Sequence, residues 1–170
     1  MPLSDQNINQ TRYQVIPRVL VFAFQNDAVL LIKLLPKNGK YTNWTGKYNG
    51  PGGHVERGED LLFAARRELL EETGLVGNLS LCGTIVVDIG QASGIGLFVF
   101  RAENVSGDLL PSTEGIPEWV MLDKLDEYPL VDDVKILLDK IQQMKPGYPP
   151  FSGRSFYDEN ERLSVLFSKR

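Results

Sequence analysis

The sequence predicts an α/β fold in which a mixed sheet lies between helices. Short apolar segments rich in β-branched residues alternate along the chain with two segments of helical period, which is typical of α/β domains. The composition is that of a globular protein, with 42% hydrophobic and 24% charged residues. We therefore expect a single domain over residues 1–170, with residues 1–12 as a loose polar tail.

The first half of the chain contains clear strand and turn signals. Residues 18–24 (RVLVFAF) and 28–34 (AVLLIKL) predict two strands, and the polar residues 25–27 between them predict a hairpin turn. Residues 36–47 are predicted to form a loop, and the glycine-rich residues 48–54 to lead towards the first helix.

Residues 60–73 predict the first helix, because they lack Gly and Pro and are rich in Leu, Ala, Arg and Glu. Gly74 follows the helix, where a left-handed C-terminal cap is favourable. Leu62, Ala65 and Leu69 recur at helical spacing and are expected to form its buried stripe.

The second half of the chain is predicted to contain further strands and one more helix. The predicted strands are residues 79–89, 95–102, 119–122, 156–157 and 163–167. The predicted connections are the turn at 90–94, the loop at 107–118 and the Pro/Gly segment at 146–153. Residues 130–144 predict a helix whose apolar face contains Val134, Leu137, Leu138 and Ile141.

Charge, cysteine count and hydropathy exclude several classes of function. A net charge of −4 disfavours binding of a nucleic acid polymer. Cys82 is the only cysteine, so no internal disulfide is possible, and we expect it to be a small buried side chain in a reducing compartment. The N-terminus has no apolar signal core and no apolar run approaches 18 residues, so we expect a cytoplasmic protein without a membrane partner.

Three glutamates are crowded near the end of the first predicted helix. Glu68, Glu71 and Glu72 fall within an arc of roughly 100° on one helix face. Like charges at this spacing repel by about 0.2–0.5 kcal/mol per pair, and the helix dipole is negative at this end. A solvated acidic face is one interpretation, and a site for hard divalent cations, which would relieve the repulsion, is the other.

The wider spacing favours the cation site. The specified residues are Gly53, Glu59, Arg67, Glu68, Leu69, Glu71, Glu72, Gly74 and Leu75. Their spacing resembles, at every specified position, the box G-x5-E-x7-R-E-U-x-E-E-x-G-U of the Nudix hydrolases, in which U is apolar. Seven fixed residue types would coincide at a given start roughly once in 10⁸ to 10⁹ times.

The resemblance implies an α/β/α sandwich and hydrolysis of a nucleoside diphosphate linked to another group, with Mg²⁺ or Mn²⁺ as the cofactor. It implies that Glu68, Glu71 and Glu72 are metal ligands and that the backbone carbonyl of Gly52 is a further one. Gly53, Glu59 and Gly74 are the structural residues of the box. Arg67 is implied to orient a box carboxylate, with Glu59 as the candidate partner; a solvated surface arginine is the alternative.

The general base is left open between two carboxylates. Glu114, in the loop before Trp119, lies where some relatives carry a catalytic carboxylate, and is also a candidate metal ligand. Glu68 is the other candidate base. An ordinary exposed loop acid is the alternative interpretation of Glu114.

Further segments are similar to the branch that hydrolyses oxidised purine nucleoside triphosphates, the MutT homologues. Residues 48–53 (YNGPGG) resemble the WNGFGG segment of that branch, and residues 114–141 and 151–167 also resemble it. The substrate-binding residues that this implies are Asn49, Pro51, Gly52, Gly53, His54, Leu130, Asp132 and Asp133. In this interpretation the Asn49 amide bonds the purine, and the adjacent aspartates share a proton while they read the base edge.

Structural interpretations remain open for the same residues. Asn49 could simply form a turn with the following glycine, and Asp132 and Asp133 could form an acidic first turn of a helix. Relatives place Trp at the position of Leu130 and Lys at that of His54. Tyr41 or Trp44 could supply the missing aromatic ring.

The leading hypothesis is a pyrophosphohydrolase that converts a nucleoside triphosphate such as 8-oxo-dGTP to monophosphate and pyrophosphate. Alternatives are ADP-ribose, a dinucleotide or a pterin triphosphate as substrate. A hypothesis of another class is a non-catalytic Nudix-fold regulator. We expect a small-molecule nucleotide partner and a monomer or homodimer.

Overall fold

The computed structural model describes residues 11–160 and 162–169, which contain nine strands and two α-helices. The strands are β1 (Gln14–Gln25), β2 (Ala28–Leu34), β3 (Tyr48–Asn49), β4 (Gly52–His54), β5 (Leu75–Asp88), β6 (Ser93–Gly107), β7 (Gly115–Met121), β8 (Phe151–Tyr157) and β9 (Leu163–Phe167). The helices are α1 (Leu61–Thr73) and α2 (Val134–Gln142), and a 3₁₀ helix spans Leu122–Glu127.

The sheet is mixed, as predicted. Its order is β3-β2-β1-β6-β5-β8-β9, with β4 added to β1 and β7 added to β2. β1 runs parallel to β6 and β5 parallel to β8, whereas the other pairs are antiparallel. The predicted α/β class is therefore confirmed.

β1 is an interior strand of the sheet, and its residues 19–23 are buried on both faces. Leu20 and Phe22 belong to the core cluster that includes α2, whereas Val19, Val21 and Ala23 belong to the cluster that includes α1. Alternation of this kind follows from the two-residue period of a strand. Helices on both faces of the sheet give the α/β/α sandwich.

Both ends of α1 are capped; the C-terminal cap was predicted, whereas Asp60 was predicted to lie inside the helix. Asp60 is the N-cap, and its carboxylate accepts a hydrogen bond of 2.8 Å from the backbone N–H of Phe63. Gly74 caps the C-terminus with φ at 75°, a left-handed conformation that a glycine adopts without strain. Ala65 and Leu69 are fully buried as predicted, while Leu62 is only partly buried.

Several predicted boundaries were wrong because strand pairing extends the strands beyond their apolar segments. β6 and β5 run to 15 and 14 residues, since they pair with each other through polar positions. β7 begins at Gly115 and includes residues predicted to be a loop, because all of it pairs with β2. β8 is also longer than predicted, because it pairs with β5 from Phe151 onwards.

The second helix is shorter than predicted, although its four predicted core residues are all buried. Leu130 forms a backbone bridge with Tyr48 instead of starting the helix. The backbone N–H of Val131 donates to the carbonyl of Tyr48 at 2.9 Å, so this segment pairs with β3 instead of being helical. Residues 1–10 of the predicted tail lie outside the described residues, and β1 already begins at Gln14.

Two further observations concern the whole fold. Cys82 is buried and free, as predicted. In the described part of the chain, no helix is long and apolar enough to cross a membrane.

We expect Leu69→Ala to lower the free energy of unfolding by about 2–5 kcal/mol, because this side chain is fully buried in the core. Leu70→Ala is the matched control on the same helix; its side chain is 50% exposed, so we expect a loss below about 1 kcal/mol. Equilibrium unfolding in urea measures both. Equal losses would contradict the assignment of the buried face of α1.

Candidate active site

Two adjoining cavities open beside β1, β4 and α1. The larger, of about 780 Å³, is lined by residues that include Glu56, Arg67, Glu68, Glu71, Glu72 and Glu114. The smaller, of about 190 Å³, is lined by residues that include Val131, Asp132, Asp133, Ser155 and Tyr157. Both are lined by Arg18, Trp44, Asn49, Gly52 and Gly53, so the two cavities share a wall.

One guanidinium holds the acidic side of the larger cavity together. Arg67 bonds both carboxylate oxygens of Glu59, through Nε at 2.6 Å and through Nη2 at 3.0 Å. Its Nη1 donates to Glu68 at 2.8 Å and to Glu71 at 3.2 Å, and Nη2 also donates to the carbonyl of His54 at 3.1 Å. The pairing of Arg67 with Glu59 that the sequence predicted is therefore present. This contact lowers the pKa of the Glu59 carboxyl and raises that of the guanidinium.

Glu72 is the buried carboxylate of the site, with 7% of its surface exposed. Its Oε2 accepts a hydrogen bond of 2.8 Å from the backbone N–H of Gly52. Burial, together with the nearby charges of Glu68 and Glu114, raises the pKa of Glu72 to about 8. Burial also raises the pKa of Glu68, and the contact with Arg67 opposes this shift.

Gly52 and Gly53 are required by close packing. A Cβ on Gly52 would collide with the backbone carbonyl of Val19 on the paired strand. A Cβ on Gly53 would collide with the Glu68 carboxylate. The pairing of β1 and β4 is therefore the reason for glycine at position 52.

The carboxylates have the chemistry of ligands for a divalent cation, but their side chains do not converge on one point in this structure. In residues 11–160 and 162–169, no three His, Cys, Asp or Glu side chains converge as a metal site. Hydrogen bonds direct the Glu68 and Glu71 carboxylates to Arg67 and the Glu72 carboxylate to Gly52. However, carboxylate oxygens are the ligands that Mg²⁺ and Mn²⁺ prefer, and a cation would favour the ionised form of the buried Glu72.

Glu114 also lines the larger cavity. Its carbonyl accepts a hydrogen bond of 2.9 Å from the N–H of Leu35, which ties the loop to the end of β2. Its carboxylate pairs with Lys37 at 3.2 Å and is about half exposed. Its charge contributes to the raised pKa values of Glu68 and Glu72, so it lies within electrostatic reach of both.

The smaller cavity brings together Asn49, Asp132 and Asp133. Backbone pairing of β3 with residues 129–131 accounts for this, because it carries the aspartates to the strand that ends at Asn49. The Asn49 side-chain oxygen accepts from the N–H of Gly50 at 2.9 Å, which leaves the amide NH₂ as a donor. The turn interpretation of Asn49 thus accounts for only one end of its side chain.

The two aspartates have different environments. Lys47 bonds Asp132 at 3.0 Å, and the Asp132 side chain is 48% exposed. Asp133 is the N-cap residue of α2 but makes no capping hydrogen bond with its side chain. Burial, followed by the charge of Asp132, raises the pKa of Asp133.

Aromatic side chains reach the smaller cavity from two places. Trp44, in the loop before β3, lines both cavities, whereas Tyr41 is 83% exposed and lines neither. Tyr157, at the end of β8, is a second aromatic lining residue. Burial and then the charges of Asp132 and Asp133 raise the pKa of its hydroxyl.

Three further residues complete the account of the site. Pro51 is buried, and its carbonyl accepts from the N–H of Val21 at 2.8 Å. Leu130 packs against the core, and neither residue lines the two cavities. His54 lines the larger cavity, and its Nε2 accepts a hydrogen bond of 3.2 Å from Nε of Arg18.

Comparison with known proteins identifies the family. The model of the NUDIX domain matches residues 14–141, which is most of the chain. The chain belongs to the Nudix family.

Similar proteins point to the same family. The chain is 38% identical over 122 residues to the oxidized purine nucleoside triphosphate hydrolase of Danio rerio, covering 68% of this chain and 77% of that protein. It is 39% identical over 82 residues to the protein of the same name from Mus musculus, covering 47% and 53% of the two chains. The crystal structure of a MutT protein from Bacillus halodurans is similar, with a TM-score of 0.75 and 26% identity over 91% of this chain and 98% of that one. The chain is thus a Nudix hydrolase, an enzyme that cleaves a phosphoanhydride.

The residues of the Nudix site that sequence reasoning missed include four polar side chains that line or contact it: Arg18, Lys37, Lys47 and Tyr157. Arg18 and Tyr157 lie on strands that the sequence assigned to the sheet alone. The lysines carried a weak signal, because the loop at 36–47 is rich in lysine and precedes the box.

For the metal-free Nudix protein we expect the free energy of unfolding to decrease as pH rises from 4.5 to about 8, because folded Glu72 retains a proton that the unfolded chain has lost. For one proton the slope is at most about 1.4 kcal/mol per pH unit. Unfolding in urea with a chelator at several pH values measures it. Glu72→Gln is the control that should remove this component, and the same pH slope in both proteins would contradict the assignment.

Proposed function

We propose that this enzyme is a Mg²⁺-dependent pyrophosphohydrolase that acts on an oxidised purine nucleoside triphosphate, with 8-oxo-dGTP as the favoured substrate. Water and the triphosphate give the monophosphate and pyrophosphate, and the bond between the α- and β-phosphates breaks. The observation that carries this proposal is the shared wall of an acidic cavity and a base-sized cavity. The names of the zebrafish and mouse relatives support the same substrate class.

Glu68, Glu71 and Glu72 are the proposed ligands of the cation, with the Gly52 carbonyl as a further one. Mg²⁺ is favoured and Mn²⁺ is an alternative, since both take carboxylate oxygens. A bound cation neutralises the polyphosphate and stabilises charge at the reacting phosphorus. Arg67 keeps two of the three carboxylates oriented through its hydrogen bonds.

The proposed general base is Glu114 or Glu68. Glu114 is partly exposed and pairs only with Lys37 among the described residues, so its carboxylate has a free oxygen that could accept a proton from water. Glu68 has a raised pKa from burial, which favours proton uptake, but it is already bonded to Arg67. Glu114 is also a candidate further metal ligand, because it faces the same cavity.

The base is proposed to bind among Asn49, Asp132 and Asp133. The free NH₂ of Asn49 donates, the carboxylate of Asp132 that pairs with Lys47 accepts, and partly buried Asp133, whose pKa is raised, can hold a proton and donate it. Trp44 is the proposed replacement for the aromatic ring that relatives place at Leu130, since it borders this cavity.

The setting of the enzyme completes the proposal. We propose one domain, and either a monomer or a homodimer suits a site built within one chain. A cytoplasmic location agrees with the free Cys82. The nucleotide is the expected partner, and neither a nucleic acid polymer nor a membrane is required.

Turnover of a nucleotide panel with Mg²⁺ and with Mn²⁺ tests the function. We expect 8-oxo-dGTP to be hydrolysed faster than dGTP, ADP-ribose, a dinucleotide or a pterin triphosphate. Glu71→Gln should lower kcat by about a hundredfold or more, because a metal contributes several kcal/mol to the transition state. It should also weaken Mn²⁺ binding measured by calorimetry.

Glu103→Gln is the matched control, because this glutamate pairs with Arg101 outside both cavities. Much faster turnover of ADP-ribose than of purine triphosphates would refute the base-binding roles of Asn49, Asp132 and Asp133. Full activity of Glu71→Gln would refute the proposed ligand set.

Glu114→Gln separates the two candidate bases. If Glu114 accepts the proton, we expect kcat to fall by about 10²–10⁴-fold with little change in KM. Steady-state kinetics on 8-oxo-dGTP measures this, with Glu103→Gln again as the control. Nearly full turnover would remove Glu114 from the catalytic residues and leave Glu68.

A further inference from the structure

Arg18 lies where the two cavities meet. It lines the smaller cavity together with Asp132 and Asp133, and the larger cavity together with Glu68 and Glu72. A nucleotide with its base in the smaller cavity and its polyphosphate in the larger must pass this wall with its sugar and first phosphate. Arg18 is therefore close to the part of the substrate that joins the base to the cleaved bond.

Among the described residues, Arg18 is also the cation of the larger cavity that no carboxylate neutralises. In the described part of the chain, three Arg or Lys side chains line that cavity. Arg67 is bonded to three glutamates, and Lys37 is bonded to Glu114. No described carboxylate forms an ion pair with Arg18, whose hydrogen bond to His54 goes to a neutral acceptor.

His54 fixes one edge of this guanidinium. Arg18 and His54 are directly paired across β1 and β4, and Nε of Arg18 donates to Nε2 of His54 at 3.2 Å. The ring nitrogen that accepts this bond carries no proton. The two terminal nitrogens of Arg18 make no hydrogen bond to any other described residue, so the fork that suits a phosphate is still available.

We propose that Arg18 binds the first phosphate of the nucleotide directly and that His54 positions it. This inference rests on the proposed function, because it takes the substrate to be a purine nucleoside 5′-phosphate. The charged guanidinium of Arg18, which lies on β1, offsets the repulsion between the phosphate and the glutamates of the larger cavity. Its contribution does not require a metal ion, since its charge is permanent.

Because the contribution of Arg18 does not require a metal ion, it can be measured in the absence of metal. The Kd values of 8-oxo-dGMP and of the nucleoside 8-oxo-deoxyguanosine are measured by calorimetry with a chelator present. We expect Arg18→Gln to raise the Kd of the monophosphate about tenfold and to leave that of the nucleoside within about twofold, because charge-assisted hydrogen bonds are lost only for the phosphate. We expect the Kd of Arg18→Lys for the monophosphate to lie between those of the wild type and of Arg18→Gln. Lysine keeps the positive charge but loses the paired N–H donors of the guanidinium.

The control is Arg101→Gln, which removes an arginine of β6 that lines neither cavity and should change neither Kd. Thermal melting verifies that each variant is folded. An equal loss for nucleoside and monophosphate in both Arg18 variants, or an unchanged Kd for the monophosphate, would overturn the role of Arg18. If the wild-type protein binds neither compound and does not hydrolyse 8-oxo-dGTP, the proposed function fails, and the inference fails with it.

The role of His54 is tested by a double-mutant cycle on the Kd of 8-oxo-dGMP. We expect His54→Ala to raise this Kd less than Arg18→Gln does. The double variant should bind no more weakly than Arg18→Gln alone, because His54 acts through Arg18. Additive losses would show that His54 contacts the phosphate independently and would overturn its positioning role.

Discussion

The candidate site depends on the five hydrogen bonds that Arg67 donates. Five glutamates lie in one short helix or in the loop that leads into it, three of them near the end where the helix dipole is negative. Arg67 bonds three of them and also the carbonyl of His54, so one side chain connects α1, the preceding loop and β4. Glu72 is held separately by Gly52. The chain can therefore fold with its acidic groups in place before any cation binds.

Strand pairing holds the residues of the smaller cavity together, as Arg67 holds the acidic residues of the larger cavity together. β3 has only two residues, yet it bonds β2 on one side and residues 129–131 on the other. Asn49 and the two aspartates are distant in sequence, and this short strand brings them to one wall. The site thus has a part built on a rigid helix and a part joined by backbone bonds between loops.

Local signals predicted some features and could not predict others. The boundaries of α1 were predicted to within one residue, because the run of good helix formers and the Gly74 cap are local signals. The ends of β5 and β6 were not predicted, because their polar residues adopt strand conformation only when they pair with the neighbouring strand. The glutamates of the box were found by spacing alone. Tyr157 and Arg18 could not be found in this way, since only the order of the sheet carries them to the cavities.

The pairing of β1 with three other strands determines how this enzyme would respond to heat. β1 pairs with β2, β4 and β6, is buried on both faces over residues 19–23, and carries Arg18 on the wall between the cavities. Arg18, Gly52 and Gly53 of that wall lie on the paired strands β1 and β4, and they keep their order until the sheet melts. Trp44 and Glu114 lie on loops held by few backbone bonds, which can open on their own. Warming would therefore weaken the proposed contacts of Trp44 with the base and of Glu114 with the reacting water first, whereas the proposed contact of Arg18 with the phosphate would persist until the protein unfolds.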